Sequence, residues 1–154
     1  MKQFVKENGH SILLLLLAGL VLILWGRLFV AEFSHHACET NLHTRQARMR
    51  CLDYYGWQVD ESSETEDTVY IPQEFDTVWN RYNEIQKMSS FDLTAYRGKS
   101  VKHYSYRVLN FPGMEQAEMF VNLLIFEGTL IGGDCMTVEL DGFLLPLDIR
   151  SITK

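Results

Sequence analysis

Residues 12–26, ILLLLLAGLVLILWG, form an apolar run without a charge; Arg27 interrupts it and Leu28, Phe29, Val30 and Ala31 continue it. An α-helix rises about 1.5 Å per residue, so a helix over residues 12–31 would span roughly the 30 Å of a bilayer core. Trp25 would then sit at the interface and Arg27 would snorkel to the headgroups. A cleaved leader would need a small-x-small site, but GRLFVAEF supplies only Ala31. A lipoprotein would need a box of small residues before its cysteine, whereas SHHAC puts two histidines there. Five consecutive leucines leave no polar face for a soluble core helix. The expectation is an uncleaved transmembrane anchor over residues 12–31, with the lipid bilayer as its partner. Lys2 and Lys6 outweigh Arg27 by one charge, so the positive-inside rule puts residues 1–11 in the cytoplasm and the rest outside.

Beyond a polar spacer, residues 32–40, the period becomes helical. Leu42, Arg45, Met49, Leu52 and Tyr55 predict a helix from Asn41 that stops at Gly56. Trp57 and Val59 begin a short extended piece. DESSETED (Asp60 to Asp67) has no apolar residue and predicts a solvated loop, with a short strand at TVYI behind it. Pro72 predicts a helix start, with Glu74 and Asp76 favouring its N-terminal dipole. Phe75, Val78, Trp79, Tyr82, Ile85 and Met88 form its apolar stripe.

From Ser100 the period shortens to two. Tyr104, Tyr106 and Val108 share one face, and His103, Ser105 and Arg107 the other. EMFVNLLIF is apolar on both faces and predicts a central strand; Glu127-Gly128 predicts a hairpin turn into the antiparallel strand TLIGGDCMTVEL. Within it, Gly132-Gly133 marks a bulge or a close backbone approach. Met136, Val138 and Leu140 are expected inward, with Cys135, Thr137 and Glu139 on the other side and a turn at Asp141-Gly142. The predicted fold is α+β: an N-terminal transmembrane helix, then an antiparallel sheet of three to five strands packed by two helices. The domain spans residues 41–147 and a tail spans 148–154. The stripe from Phe75 to Met88 should lie on Tyr104, Tyr106, Leu124 and Val138.

Charge narrows the partners. Outside residues 1–31 there are 19 acids and 11 bases, about −8, which repels nucleic acid and disfavours anionic lipid surfaces. Three cysteines outside a cell would allow one bridge; Cys51 on the first helix and Cys135 on the last strand are the candidate disulfide. A catalytic thiolate needs a base or a helix N-terminus beside it, yet Cys135 follows the anion Asp134, which raises a thiol pKa. His103 is the one histidine of the sheet region that could serve it. His35, His36, Cys38, Glu39 and His43 contain metal-ligand types but sit on the spacer rather than a closed frame, so no metal is expected. Asp134, Glu139 and Asp141 cluster around the last strand, where Asp before Gly is first a turn residue. Nucleophile elbow, phosphate loop and zincin helix are missing. Arg97, Lys99 and Arg107 form a candidate interaction surface for an anionic polymer or a partner's acid. The reading is a non-catalytic interaction or envelope-associated module without a cofactor. The alternative is a thiol- or carboxylate-dependent envelope enzyme.

The segments from IPQEF to NFPG and from VNLLIF to LDGF also carry a likeness. Their markers are Ile-Pro-x-x-Phe, Tyr82-Asn83, Gln86-Lys87, Phe91-Asp92-Leu93, Tyr96, Gly98-Lys99, Asn122-Leu123-Leu124, Gly132-Gly133-Asp134 and Leu140-Asp141-Gly142-Phe143. With the upstream YYGWQV, they resemble a domain-of-unknown-function family of membrane-anchored or secreted clostridial-type proteins, over roughly residues 45–145. The resemblance implies an N-terminal anchor, an extracytoplasmic α+β domain and no known activity. Members tend to end in a Met-His-Gly-like stretch where this chain has Leu144-Leu145-Pro146, so no histidine role is carried over there.

Overall fold

A computed structural model of the chain describes residues 16–25, 40–111, 118–138 and 142–148. The chain divides into two compact units, Met1–Ala37 and Cys38–Lys154. In the first, residues 16–25 are helical (α1), with Leu16, Leu20, Leu22, Ile23 and Trp25 all exposed. The rest of the expected anchor, residues 12–15 and 26–31, lies outside the described residues. Among the described residues no helix is long and apolar enough to cross a membrane.

The second unit is an α+β domain. Helix α2 (Arg45–Tyr54) precedes strand β1 (Val59–Tyr70). Helix α3 (Thr77–Met88) and a 3-10 turn (Leu93–Tyr96) follow, then β2 (Ser100–Val108), β3 (Met119–Phe126), β4 (Thr129–Thr137) and the short β5 (Leu144–Pro146). The five strands form one antiparallel meander in chain order. β3 is central, as its two apolar faces predict.

Each helix is delimited by local chemistry. Thr44 caps α2 through Oγ1, which accepts the Ala47 N–H at 3.2 Å. At its far end Gly56 takes a left-handed φ of 92°. The Gly56 N–H donates to the Asp53 carbonyl and the Trp57 N–H to the Leu52 carbonyl, which closes a Schellman motif. Helix α3 starts at Thr77 rather than near Pro72. The Asp76 carboxylate accepts the Trp79 N–H at 2.8 Å, so the cap falls at Asp76 and not at the proline. Glu127 and Gly128 both have positive φ, 50° and 80°, as a two-residue type I′ hairpin requires.

The acidic run is a strand, not a loop. Asp60 to Asp67 belongs to β1, an edge strand whose register against β2 shifts between Asp60 and Thr65. Its carboxylates are held by cations: Asp60 by Arg107, Glu64 by Arg45 and Arg48, and Glu66 by Lys102. A charged, irregular edge also resists pairing with another chain.

The helices cover opposite faces of the sheet. Leu52 and Cys51 of α2 pack with Tyr106, Val121, Leu123 and Cys135. The α3 side gathers Ile71, Leu93, Val101, Leu124 and Ile131, flanked by Trp79 and Tyr82. Alternation along β3 enforces this division, since Leu123 and Leu124 must point apart. The expected seat of α3 is therefore corrected: Leu124 lies beneath it, but Tyr104 and Tyr106 belong to the α2 side and Val138 is exposed. The stripe is corrected too, because Val78 and Met88 are exposed while the polar Asn83 and Gln86 are buried. Likewise Cys135 and Thr137, expected opposite the inward face, are buried. Glu139, Leu140 and Asp141 lie outside the described residues.

Candidate functional site

The double glycine of β4 is where α3 meets the sheet. A Cβ on Gly132 would lie 2.9 Å from Gln86 Oε1, and one on Gly133 would lie 2.6 Å from the Asn122 carbonyl oxygen. The β3–β4 register slips beside them, between Leu124 and Ile125. Both expected roles of the pair, bulge and close approach, are present. Gln86 uses the gap: its Oε1 accepts the Gly133 N–H at 2.7 Å. Gln86 Nε2 is buried and makes no hydrogen bond among the described residues.

One turn earlier on α3, Tyr82 donates its hydroxyl to Asp134 Oδ2 at 2.6 Å, and Asn122 Nδ2 donates to Asp134 Oδ1 at 2.7 Å. Burial pushes the Asp134 carboxyl up, although Tyr82, Asn122 and the charge of His103 pull the other way. The Tyr82 phenol rises well above its ordinary value through burial and the Asp134 charge. The buried Asn83 of α3 donates to Asp92 Oδ1 at 3.0 Å and its Oδ1 accepts the Leu93 N–H at 2.7 Å. Hydrogen bonds from Asn83 and Thr94 lower the Asp92 carboxyl to about 2.

These two acids give pH dependences of opposite sign. Asp92 contributes stability above its unfolded pKa near 3.9 and loses it as pH falls toward 2. Asp134 contributes when protonated, and that contribution is lost as pH rises through its raised folded value. Denaturation of Asp92→Asn is expected to show a shallower loss between pH 4 and 2, and Asp134→Asn a shallower decline on the higher side. Parallel curves for wild type and both variants would refute the assignment.

Beside this network lies a cleft of about 920 Å³ between α3 and its face of the sheet. Tyr82 and Ile85 form one wall, Val69, His103 and Leu124 the floor, and Phe143 and Leu144 the far rim. Thr77 and Arg81 of α3 also line it. Sequence reasoning took the α3 stripe for core alone and missed the cleft; the polar Thr77 and Arg81, spaced four apart, were the readable sign of a half-open face.

The other predicted sites disperse. Cys51 and Cys135 are both fully buried in the α2-side core, and no bridge joins the two. Burial, then the Asp134 charge, pushes Cys135 up to about 12. His103 stands opposite Leu124 in register, on the α3 face, so the sheet itself separates it from Cys135. Arg97 lies over the Phe75 ring at 4.5 Å, and Lys99 precedes β2. Arg107 sits at the other end of β2, about 26 Å away at 3.3 Å per residue, and is paired with Asp60. The three do not make one surface. Of the spacer ligand types, His43 is described and rests against Gly128; His35, His36, Cys38 and Glu39 lie outside the described residues. Among the described residues, no group of three His, Cys, Asp or Glu side chains could hold a metal.

Sequence reasoning also missed a buried ion cluster on the α2 face. Arg48 donates to the Tyr106 hydroxyl at 2.8 Å, the Leu42 carbonyl at 3.2 Å and Glu64 at 2.9 Å, and its guanidinium lies 3.8 Å over the Tyr104 ring. Tyr106 donates in turn to Glu64. Burial raises the Glu64 carboxyl, but Tyr106, Arg48 and Arg45 outweigh it and hold it below its ordinary value. The cluster ties α2 to β1 and β2.

An antiparallel α+β head with a cleft on one face and a sealed core on the other defines the class. Residues 51–135 match the family described as Domain of unknown function (DUF4830), and the chain belongs to that family. No curated protein and no solved structure matches the chain. The matched span includes Tyr82, Asn83, Gln86, Asp92, Asn122 and the Gly132-Gly133-Asp134 triplet, which hydrogen bonds and close contacts join into the α3–sheet junction.

Proposed function

We propose that the chain is a single-pass, membrane-anchored protein of a clostridial-type envelope whose extracytoplasmic head is a non-catalytic binding module. The observation that carries the binding role is the cleft. Its volume falls in the range of about 300–1,000 Å³ that small-ligand sites occupy. Two of the groups that could do chemistry near it are engaged elsewhere: both Asp134 oxygens accept internal hydrogen bonds, and the Cys135 thiol faces the opposite core. The anchor reading draws on the apolar sequence of residues 12–31 and on the exposed leucines of α1.

Two measurements test the proposal. A benzoyl-phenylalanine photo-crosslinker at Val78, on the cleft, is expected to gain a small-molecule mass in intact cells, while one at the exposed Glu61 of β1 does not. Equal behaviour at the two positions would count against the cleft. For topology, Glu61→Cys in a Cys38→Ser background should react with an impermeant maleimide on whole cells and stay with the membrane fraction. Reaction only after lysis, or recovery of the intact chain in the soluble fraction, would refute the placement.

A further inference from the structure

We propose that the cleft takes an amphiphile with one anionic head and an alkyl tail, such as a medium-chain carboxylate, and that Arg81 reads the head. The inference rests on the binding reading above and specifies its ligand.

Helix α3 offers the cleft two strips. Val78, Tyr82 and Ile85 form an apolar strip, which at 1.5 Å per residue runs about 10 Å along the helix and faces Val69 and Leu124 across the gap. Thr77 and Arg81, one turn apart, add a hydroxyl and a guanidinium. In this strongly acidic domain Arg45, Arg48, Lys87, Lys102 and Arg107 are each paired with a carboxylate, and Arg97 covers an aromatic ring. The three other described cations, Arg50, Arg81 and Lys99, have no acid partner among the described residues, and of these Arg81 alone lines the cleft. A planar guanidinium matches a carboxylate through paired N–H donors, and Thr77 can donate a further hydrogen bond. A neutral apolar ligand would leave the cation unused, and a cationic one would be repelled.

The test is equilibrium dialysis of the full chain in phosphatidylcholine nanodiscs against labelled decanoate and decanol, with empty nanodiscs as background. Wild type should retain decanoate more tightly than decanol. Arg81→Ala should weaken decanoate by about tenfold and leave decanol unchanged, with Arg81→Lys in between. Val78→Trp, which fills the cleft from an exposed position, should reduce both ligands. Equal retention of the two ligands by wild type, or indifference of decanoate to Arg81→Ala, overturns the head-group assignment while the cleft still binds. Retention no better than empty nanodiscs, or undiminished by Val78→Trp, overturns the binding reading itself.

Discussion

Gly133→Ala is expected to lower the free energy of unfolding by about 3 kcal/mol, the upper range for overpacking. The added methyl would sit 2.6 Å from a backbone oxygen of β3 and 2.9 Å from Leu147 Cδ2, and a central strand cannot step aside as a side chain can. Replacing glycine also restricts the unfolded chain, a gain of about 0.4–1 kcal/mol that is too small to offset the clash. Gly132→Ala is the internal comparison. Its methyl meets the far end of Gln86, which can move at the expense of its bond to the Gly133 N–H, a loss of about 1 kcal/mol. Denaturant titration of the two variants under one condition decides the matter: an equal effect, or the reverse order, would show that β3 yields.

Arg48→Ala is expected to cost about 2–3 kcal/mol, less than the roughly 3–5 kcal/mol of a fully buried pair, because it strips the partly buried Glu64 carboxylate of its nearest cation and leaves the Tyr106 hydroxyl without a donor. Glu64 keeps Arg45, but that side chain is 56% exposed and screens poorly. Arg48→Met, which retains the stem under Tyr104, should cost less. It should lose most of its penalty when combined with Glu64→Gln, so a double-mutant cycle measures the coupling directly. A single-variant loss below about 0.5 kcal/mol would place the cluster among surface-like ion pairs.

Much of the domain could be read along the chain, for identifiable reasons. Alternation in β2 and the doubly apolar β3 report burial directly, and glycine marks both the end of α2 and the hairpin. The double glycine was legible as a close approach, though not what approached it. Failures came where polar residues do structural work. The acidic run reads as loop because its neutralising cations lie on α2 and β2, up to 47 positions away. The start of α3 was set by one Asp76 hydrogen bond that a preceding proline obscured. Asn83 and Gln86 hide in the sequence as surface residues, yet their amides fasten the helix. The apolar stripe hid the cleft, because Tyr82 and Ile85 at helical spacing look the same whether the opposite wall touches them or stands off; only Thr77 and Arg81 pointed to it.

The route by which the chain joins the head has a mechanical consequence. The Leu42 N–H donates to the Gly128 carbonyl at 2.8 Å, at the tip of the hairpin between β3 and β4. Tension applied ahead of residue 40 therefore reaches an inner loop of the sheet before it can peel β1 or β5 from the margin. The bond does not carry that load alone: the Leu42 side chain is sunk in the core and the Leu42 carbonyl accepts from Arg48 at 3.2 Å, so a pull at this point is shared between the hairpin and α2.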